Sequence, residues 1–216
     1  MRLIKSISRA GGKINEDYIL HNDYNYVLLL DGASGLQNNL IHNSDTEDAS
    51  TDAQWFVEEF ARLIMCYVDS ITPAKDLVKK CISELKQEYN NLLKGKEHNL
   101  SVFEPSASMA FIKRTGGIIE LLILGDITVI IKGRNNEVSV FFDDSVQALD
   151  NKALTVAKIV AAEQQLNVCD AMSHGSVRTI LEQNRSRKNS GSEGGYWVLG
   201  LQEDAVDHAI YQQLNE

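Results

Sequence analysis

The sequence predicts an α+β protein in which helices stack on antiparallel sheet. Three observations carry that prediction. An apolar strand is followed by two long amphipathic helices, four strand candidates then run in series with hairpin-type turns, and helical segments return after them. Strands and helices that come in runs, instead of alternating one for one, favour a layered α+β architecture over a parallel sheet.

Each element has a local reason. Residues 2–8 (RLIKSIS) and 18–21 are short strand candidates, and 25–31 (NYVLLLD) is a continuous apolar run suited to a sheet covered on its inner face. Residues 36–50 are rich in Asn, Asp and Ser and read as a loop. Ser50 or Thr51 can cap a helix from Asp52 to about Asp69, with Trp55, Phe56, Phe60, Ile64 and Tyr67 at helical spacing. Pro73 opens a second helix to about Leu93, whose apolar face is Leu77, Val78, Cys81, Ile82, Leu85, Tyr89 and Leu92. The strand candidates Ser106–Lys113, Ile118–Leu124, Ile127–Ile131 and Val138–Phe142 are separated by RTGG, GD and GRNN, which predicts an antiparallel meander. Residues 151–185 are helical, in two pieces split near Asn167. The polar run RSRKNSGSEGG at 185–195 reads as a mobile loop, and YWVLG beyond it as a short apolar unit.

Composition bounds the function. The 216 residues suit one single-core domain, residues 1–216. The net charge of −9 argues against nucleic-acid phosphates and anionic membrane surfaces as partners, and permits a site that gathers carboxylates around cations. Three cysteines without a CxxC, two of them (Cys66 and Cys81) in helical segments, predict buried thiols in a reducing compartment. With no apolar run of signal-peptide or membrane-spanning length, the expected location is cytoplasmic.

Three acidic spots each fall at the edge of a strand candidate: Glu16 and Asp17 in KINEDYIL, Asp31 in LLLDGAS, and Asp126 in LILGDITVI. Each alone is an ordinary turn or solvated edge. Together on one edge they repel one another unless cations neutralise them. Magnesium or manganese would suit them, since hard divalent ions take oxygen ligands, keep several waters and need few protein carboxylates. Gly32 would let the backbone come close enough to offer its carbonyl.

The motifs GGKINEDY and VLLLDGASG, then SASMAFIK and LLILGDITVI, resemble in content and order those of the PPM (type 2C) metal-dependent Ser/Thr protein phosphatases. The resemblance covers Met1 to about Gly133 and is looser beyond. It implies a four-layer αββα sandwich of two antiparallel sheets flanked by paired helices. It also implies hydrolysis of a phosphoserine or phosphothreonine protein by a metal-activated water, at a centre of two or three Mn2+ or Mg2+ ions. Asp31 would bridge two ions, the Gly32 carbonyl would ligate one, Glu16 and Asp17 would support it, and Asp126 would hold metal-bound water or a further ion. The partners implied are a phosphoprotein substrate and a Ser/Thr kinase.

The chain also departs from the family pattern. The phosphate-binding Arg that often stands shortly before the Glu-Asp pair is absent: position 12 is Gly, leaving Lys13 or Arg9 as substitutes. Ala33 stands where some members carry a His. The later Asp-Gly and Asp-Asn motifs have no match, because only Asp204 and Asp207 follow Gly200, and AVDHAIYQQ does not read as a buried strand. The expectation is therefore a C-terminally shortened domain with open sheet edges. It is either a truncated enzyme or a catalytically inactive module that binds a phosphoprotein or a regulatory partner. An acidic structural domain without metal is the third alternative. Zinc-type histidine spacing, a GxSxG elbow and a GxxxxGK[ST] loop are all missing, and Ala33 replaces the second Asp that a haloacid-dehalogenase phosphatase requires.

Overall fold

The computed structural model describes residues 4–10, 14–23, 25–33, 41, 50–70, 73–94 and 103–215. The main sheet has five antiparallel strands: β1 (Asp17–Asn22), β2 (Tyr26–Ala33), β3 (Ser106–Thr115), β4 (Ile118–Leu124) and β7 (Ile210–Asn215), side by side in that order. A second sheet pairs β5 (Val129–Lys132) with β6 (Val138–Phe141). Helices α1 (Asp52–Tyr67) and α2 (Ala74–Leu92) form one layer, and α3 (Ser145–Gln164), α4 (Val168–Ala171) and α5 (Gly175–Arg185) form a separate group.

Strand alternation gives the main sheet two faces. One register row runs Leu20, Leu28, Phe111, Leu122, Tyr211, and the next runs Tyr18, Leu30, Met109, Leu124. These rows face the helices. Leu28, Leu30, Met109 and Phe111 are fully buried against Phe56, Phe60 and Ile64 of α1 and Leu77, Ile82 and Leu85 of α2. The opposite face holds Leu29, Ala110, Leu121, Ile123 and Ile210, and it packs on Val129, Ile131 and Phe141 of the small sheet. Ile130, Val138 and Val140 lie on the far side of that sheet and are exposed. Helices α3, α4 and α5 close a small core of their own around Ala157, Ala171 and Val177.

The caps differ in origin. Thr51 accepts from the Gln54 N–H at 3.0 Å, a local N-cap as its sequence position predicts. Pro73 at the N-cap of α2 has no capping side chain. The buried carboxylate of Glu120 on β4 accepts the Ala74 N–H instead, at 3.2 Å, and also the Tyr211 hydroxyl at 2.6 Å. A helix start is thus stabilised from the sheet.

Several expectations are corrected. Residues 4–8 form no strand and are exposed. The meander is split, because β5 leaves the main sheet for the second one and β7 takes the vacant edge of β4. The segment that did not read as a strand thus supplies one; its register with β4 provides a pattern that a half-exposed sequence lacks. The helical region is three pieces, with Asn167 capping α4. The polar run at 185–195 is tied down: Lys188 is buried and donates to the Glu104 carbonyl at 2.7 Å, and Asn189 accepts the Val198 N–H at 2.8 Å. Cys81 is buried as expected, but Cys66 is exposed. Leu92 also points outward. No described helix is long and apolar enough to cross a membrane.

Two substitutions test the helix-facing core. Phe111→Ala should lower the unfolding free energy by about 3–5 kcal/mol, the usual loss for an aromatic cavity. The buried Tyr89 hydroxyl has no hydrogen-bond partner among the described residues. Tyr89→Phe should therefore be neutral or stabilising by up to about 1 kcal/mol. Urea denaturation reads both, and a loss above about 2 kcal/mol for Tyr89→Phe would show that the hydroxyl is bonded after all.

Candidate active site

The acidic residues lie on the sheet face turned toward the small sheet. Asp17 on β1 is directly opposite Asp31 on β2, and Asp31 is directly opposite Ser108 on β3. Directly opposed residues of an antiparallel pair share a face, so one row carries two carboxylates and a hydroxyl. Asp126 joins them from the turn after β4, accepting a 2.6 Å hydrogen bond from the Ser108 hydroxyl. Gly125 makes this approach possible: it has φ of +82°, and a Cβ there would collide with Ser108 Oγ.

Glu16 is held by its backbone. Its carbonyl accepts the Gly32 N–H at 3.1 Å. A Cβ on Gly32 would stand 2.6 Å from that carbonyl oxygen, so only glycine fits after Asp31. Asp17 is oriented from the other side. Ser8 donates to its carboxylate at 2.8 Å, Asn15 donates to Ser8 at 2.8 Å, and the Asn15 side-chain oxygen accepts the Asp17 N–H at 3.3 Å.

The charges converge on Asp31. Its carboxyl is pushed up to about 6, first by burial, then by the negative charges of Asp17 and Asp126, with a hydrogen bond to Asp17 and the charge of Glu16 adding to the effect. Carboxylates from three separate stretches of chain therefore act on one another. They do not form a closed cage: among the described residues, no three His, Cys, Asp or Glu side chains are gathered closely enough to hold an ion unaided. The donor chemistry fits a hard divalent ion nonetheless. All donors are oxygen, their mutual repulsion is what a cation relieves, and an ion that keeps most of its waters needs only one or two protein carboxylates.

A cavity of about 210 Å³ opens beside this row, lined by Asp31, Ser106, Ser108, Asp126, Arg185 and Tyr196 among others. Tyr196 and Val198 reach it because Leu199 pairs with Ala107 through two 2.9 Å backbone hydrogen bonds. Of the predicted substrate-binding residues, Lys13 lies outside the described residues, and Arg9 is exposed and is not among the residues that line the cavity. Asp207 is engaged with Lys79 of α2 at 2.7 Å. Sequence reasoning missed Ser8, Asn15, Ser108 and Arg185. The alternation of Ser106 and Ser108 was a readable sign of a polar strip on β3, whereas nothing local marks Ser8 or Arg185.

No protein-family model and no curated relative matches the sequence. Solved structures do match in shape. The Mycobacterium tuberculosis serine/threonine phosphatase PstP/Ppp aligns over 98% of this chain and 71% of its own, at 14% identity and a TM-score of 0.51. The PstP catalytic domain in complex with two manganese ions covers 98% of this chain and 70% of its own, at 15% identity and a TM-score of 0.46. Staphylococcus aureus Stp1, also a serine/threonine phosphatase, covers 99% and 72%, at 11% identity and a TM-score of 0.45. The chain has the α+β fold of PPM-type Ser/Thr phosphatases.

The electrostatics of Asp31 carry a pH signature. A carboxyl whose folded value lies above its unfolded one binds more protons in the native state, so its contribution to stability falls as pH rises from about 4 to 6 and stays low above that. In chelator-treated protein, Asp31→Asn should raise stability at pH 7 by about 1 kcal/mol, after discounting for solvent screening. It should also flatten the pH 5 to 7 dependence. Urea titrations at both pH values check this, and a less stable variant with an unchanged pH slope contradicts it.

Proposed function

We propose that this chain is a metal-dependent phosphoserine/phosphothreonine protein phosphatase, with Asp31, Asp17, Glu16, the Gly32 carbonyl and Asp126 as the ligands of Mn2+ or Mg2+. The observation that carries this reading is the convergence of three carboxylates, those of Asp17, Asp126 and Glu16, on that of Asp31, at the rim of a cavity of substrate-group size. When bound, such ions supply Lewis-acid stabilisation of phosphoryl oxygens and lower the pKa of a bound water. The chain's own residues do the positioning. Ser8 and Asn15 fix the Asp17 carboxylate, Ser108 fixes Asp126, and Gly32 keeps the Glu16 backbone against the end of β2. Asp31 stands between them, able to share a cation with either side. Val198 and Tyr196 add an apolar wall that keeps water from part of the cavity. The substrate of such a site is made by phosphoryl transfer to a Ser or Thr hydroxyl, so a Ser/Thr kinase is the partner it would work against.

A second reading has an observation of its own. The segment that pairs with Ala107 beside the site is Val198–Leu199–Gly200, and it brings no carboxylate where the resemblance calls for a second Asp-Gly. On that reading the fold binds a phosphoprotein or a regulatory partner without hydrolysing phosphate.

Calorimetry with Mn2+ and turnover of p-nitrophenyl phosphate and a phosphothreonine peptide separate the two. Mn2+ at about 100 times its Kd should stabilise the wild-type chain by about 2.7 kcal/mol. Both the stabilisation and the turnover should vanish in Asp31→Asn. Binding without turnover selects the second reading, and absence of Mn2+ binding by the wild-type chain removes the metal centre altogether.

A further inference from the structure

We propose that Arg185 is the phosphate-binding residue of this site, receiving the phosphoryl oxygens of a phosphoserine or phosphothreonine side chain in the cavity beside Asp31 and Asp126. The inference rests on the phosphatase reading for the identity of the substrate, and on the cavity for the residue.

A phosphoryl group carries close to two negative charges at neutral pH, and this cavity already has Asp31 and Asp126 on its wall. An anion enters such a place only if cations face it. Arg185 is the one cationic side chain among the described residues that line the cavity. The guanidinium that resemblance would place shortly before Glu16 is absent from the sequence, since position 12 is Gly, and Arg9 is exposed and does not line the cavity. Lys13 lies outside the described residues, and the cation that the described cavity itself offers is the last residue of α5.

The surroundings of Arg185 are built to hold it still. On its N-terminal side, the buried Asn184 donates to the Leu149 carbonyl of α3 at 3.2 Å. On its C-terminal side, the buried Lys188 donates to the Glu104 carbonyl at 2.7 Å, two residues before Ser106 on the cavity wall. Asn189 then accepts the Val198 N–H, tying the same turn to another lining residue. These bonds clamp the chain on either side of Arg185 to α3 and to the segment before β3, and Ser106 and Ser108 line the same cavity. The clamp also crowds positive charge: the Lys188 amine is brought down to about 8, first by burial and then by repulsion from Arg185. A phosphoryl anion would relieve that crowding. A guanidinium suits the task better than an ammonium, because its planar fork meets two phosphoryl oxygens at once.

The test is calorimetric titration of inorganic phosphate into the full chain, with and without Mn2+, for the wild type, Arg185→Ala and Arg185→Lys. Circular dichroism confirms folding of each variant. Arg185→Ala should weaken phosphate binding by about tenfold or more while Mn2+ affinity stays within about twofold. Arg185→Lys should recover only part of the loss, and it carries the test if the alanine variant does not fold. Phosphate affinity unchanged in both variants overturns the proposal, as does an equal loss of Mn2+ affinity. Arg185-dependent phosphate binding by a chain that binds no Mn2+ sustains the proposal and sinks the phosphatase reading. A wild-type chain that binds no phosphate under either condition overturns the proposal whatever Mn2+ does.

Discussion

The antiparallel register of β1, β2 and β3 is the constraint on which the rest of the site depends. It sets Asp17 opposite Asp31 and Asp31 opposite Ser108. A slip of one residue would turn that row to the other face and send Leu28 and Leu30 out of the core. The burial of those leucines under α1 and α2 is therefore what holds the carboxylates on the cleft side. Packing on one face of the sheet fixes chemistry on the other.

The two faces treat charge in opposite ways. On the helix side, Lys113 and Glu120 are directly opposed and buried. Burial lowers the Lys113 amine, and the nearby charges of Glu120 and Asp69 act against that. Glu120 is further satisfied by the N-terminus of α2 and by Tyr211. These charges are compensated within the fold. On the cleft side, like charges face one another, and the result is a raised Asp31 carboxyl. The fold satisfies the buried Glu120 carboxylate and leaves the exposed Asp31 carboxylate facing like charges; that contrast, together with the cavity, is what supports the proposed cation site.

The segments after α3 complete the cavity. The 185–195 stretch has a loop's composition, yet Lys188 and Asn189 pin it to the residues around β3. The same contacts bring Arg185, Tyr196 and Val198 to the carboxylates. Their arrangement depends on bonds between residues 84 positions apart, such as Lys188 to Glu104, which no local pattern announces.

By itself the sequence determined the strong local signals: the apolar run ending in Asp31, the amphipathic faces of α1 and α2, the Thr51 cap, the glycines that permit close approach, and the placing of Glu16, Asp17, Asp31 and Asp126 at or beside strand ends. Those signals are legible because periodicity, capping and turn chemistry act over a few residues. Tertiary structure decided the division of the strands between two sheets, the role of β7 as the fifth strand, the cap on α2 and the place of Arg185. These depend on partners distant in sequence. A half-exposed strand such as β7 has little intrinsic preference, and a lone arginine acquires meaning only when folding sets it beside a cavity.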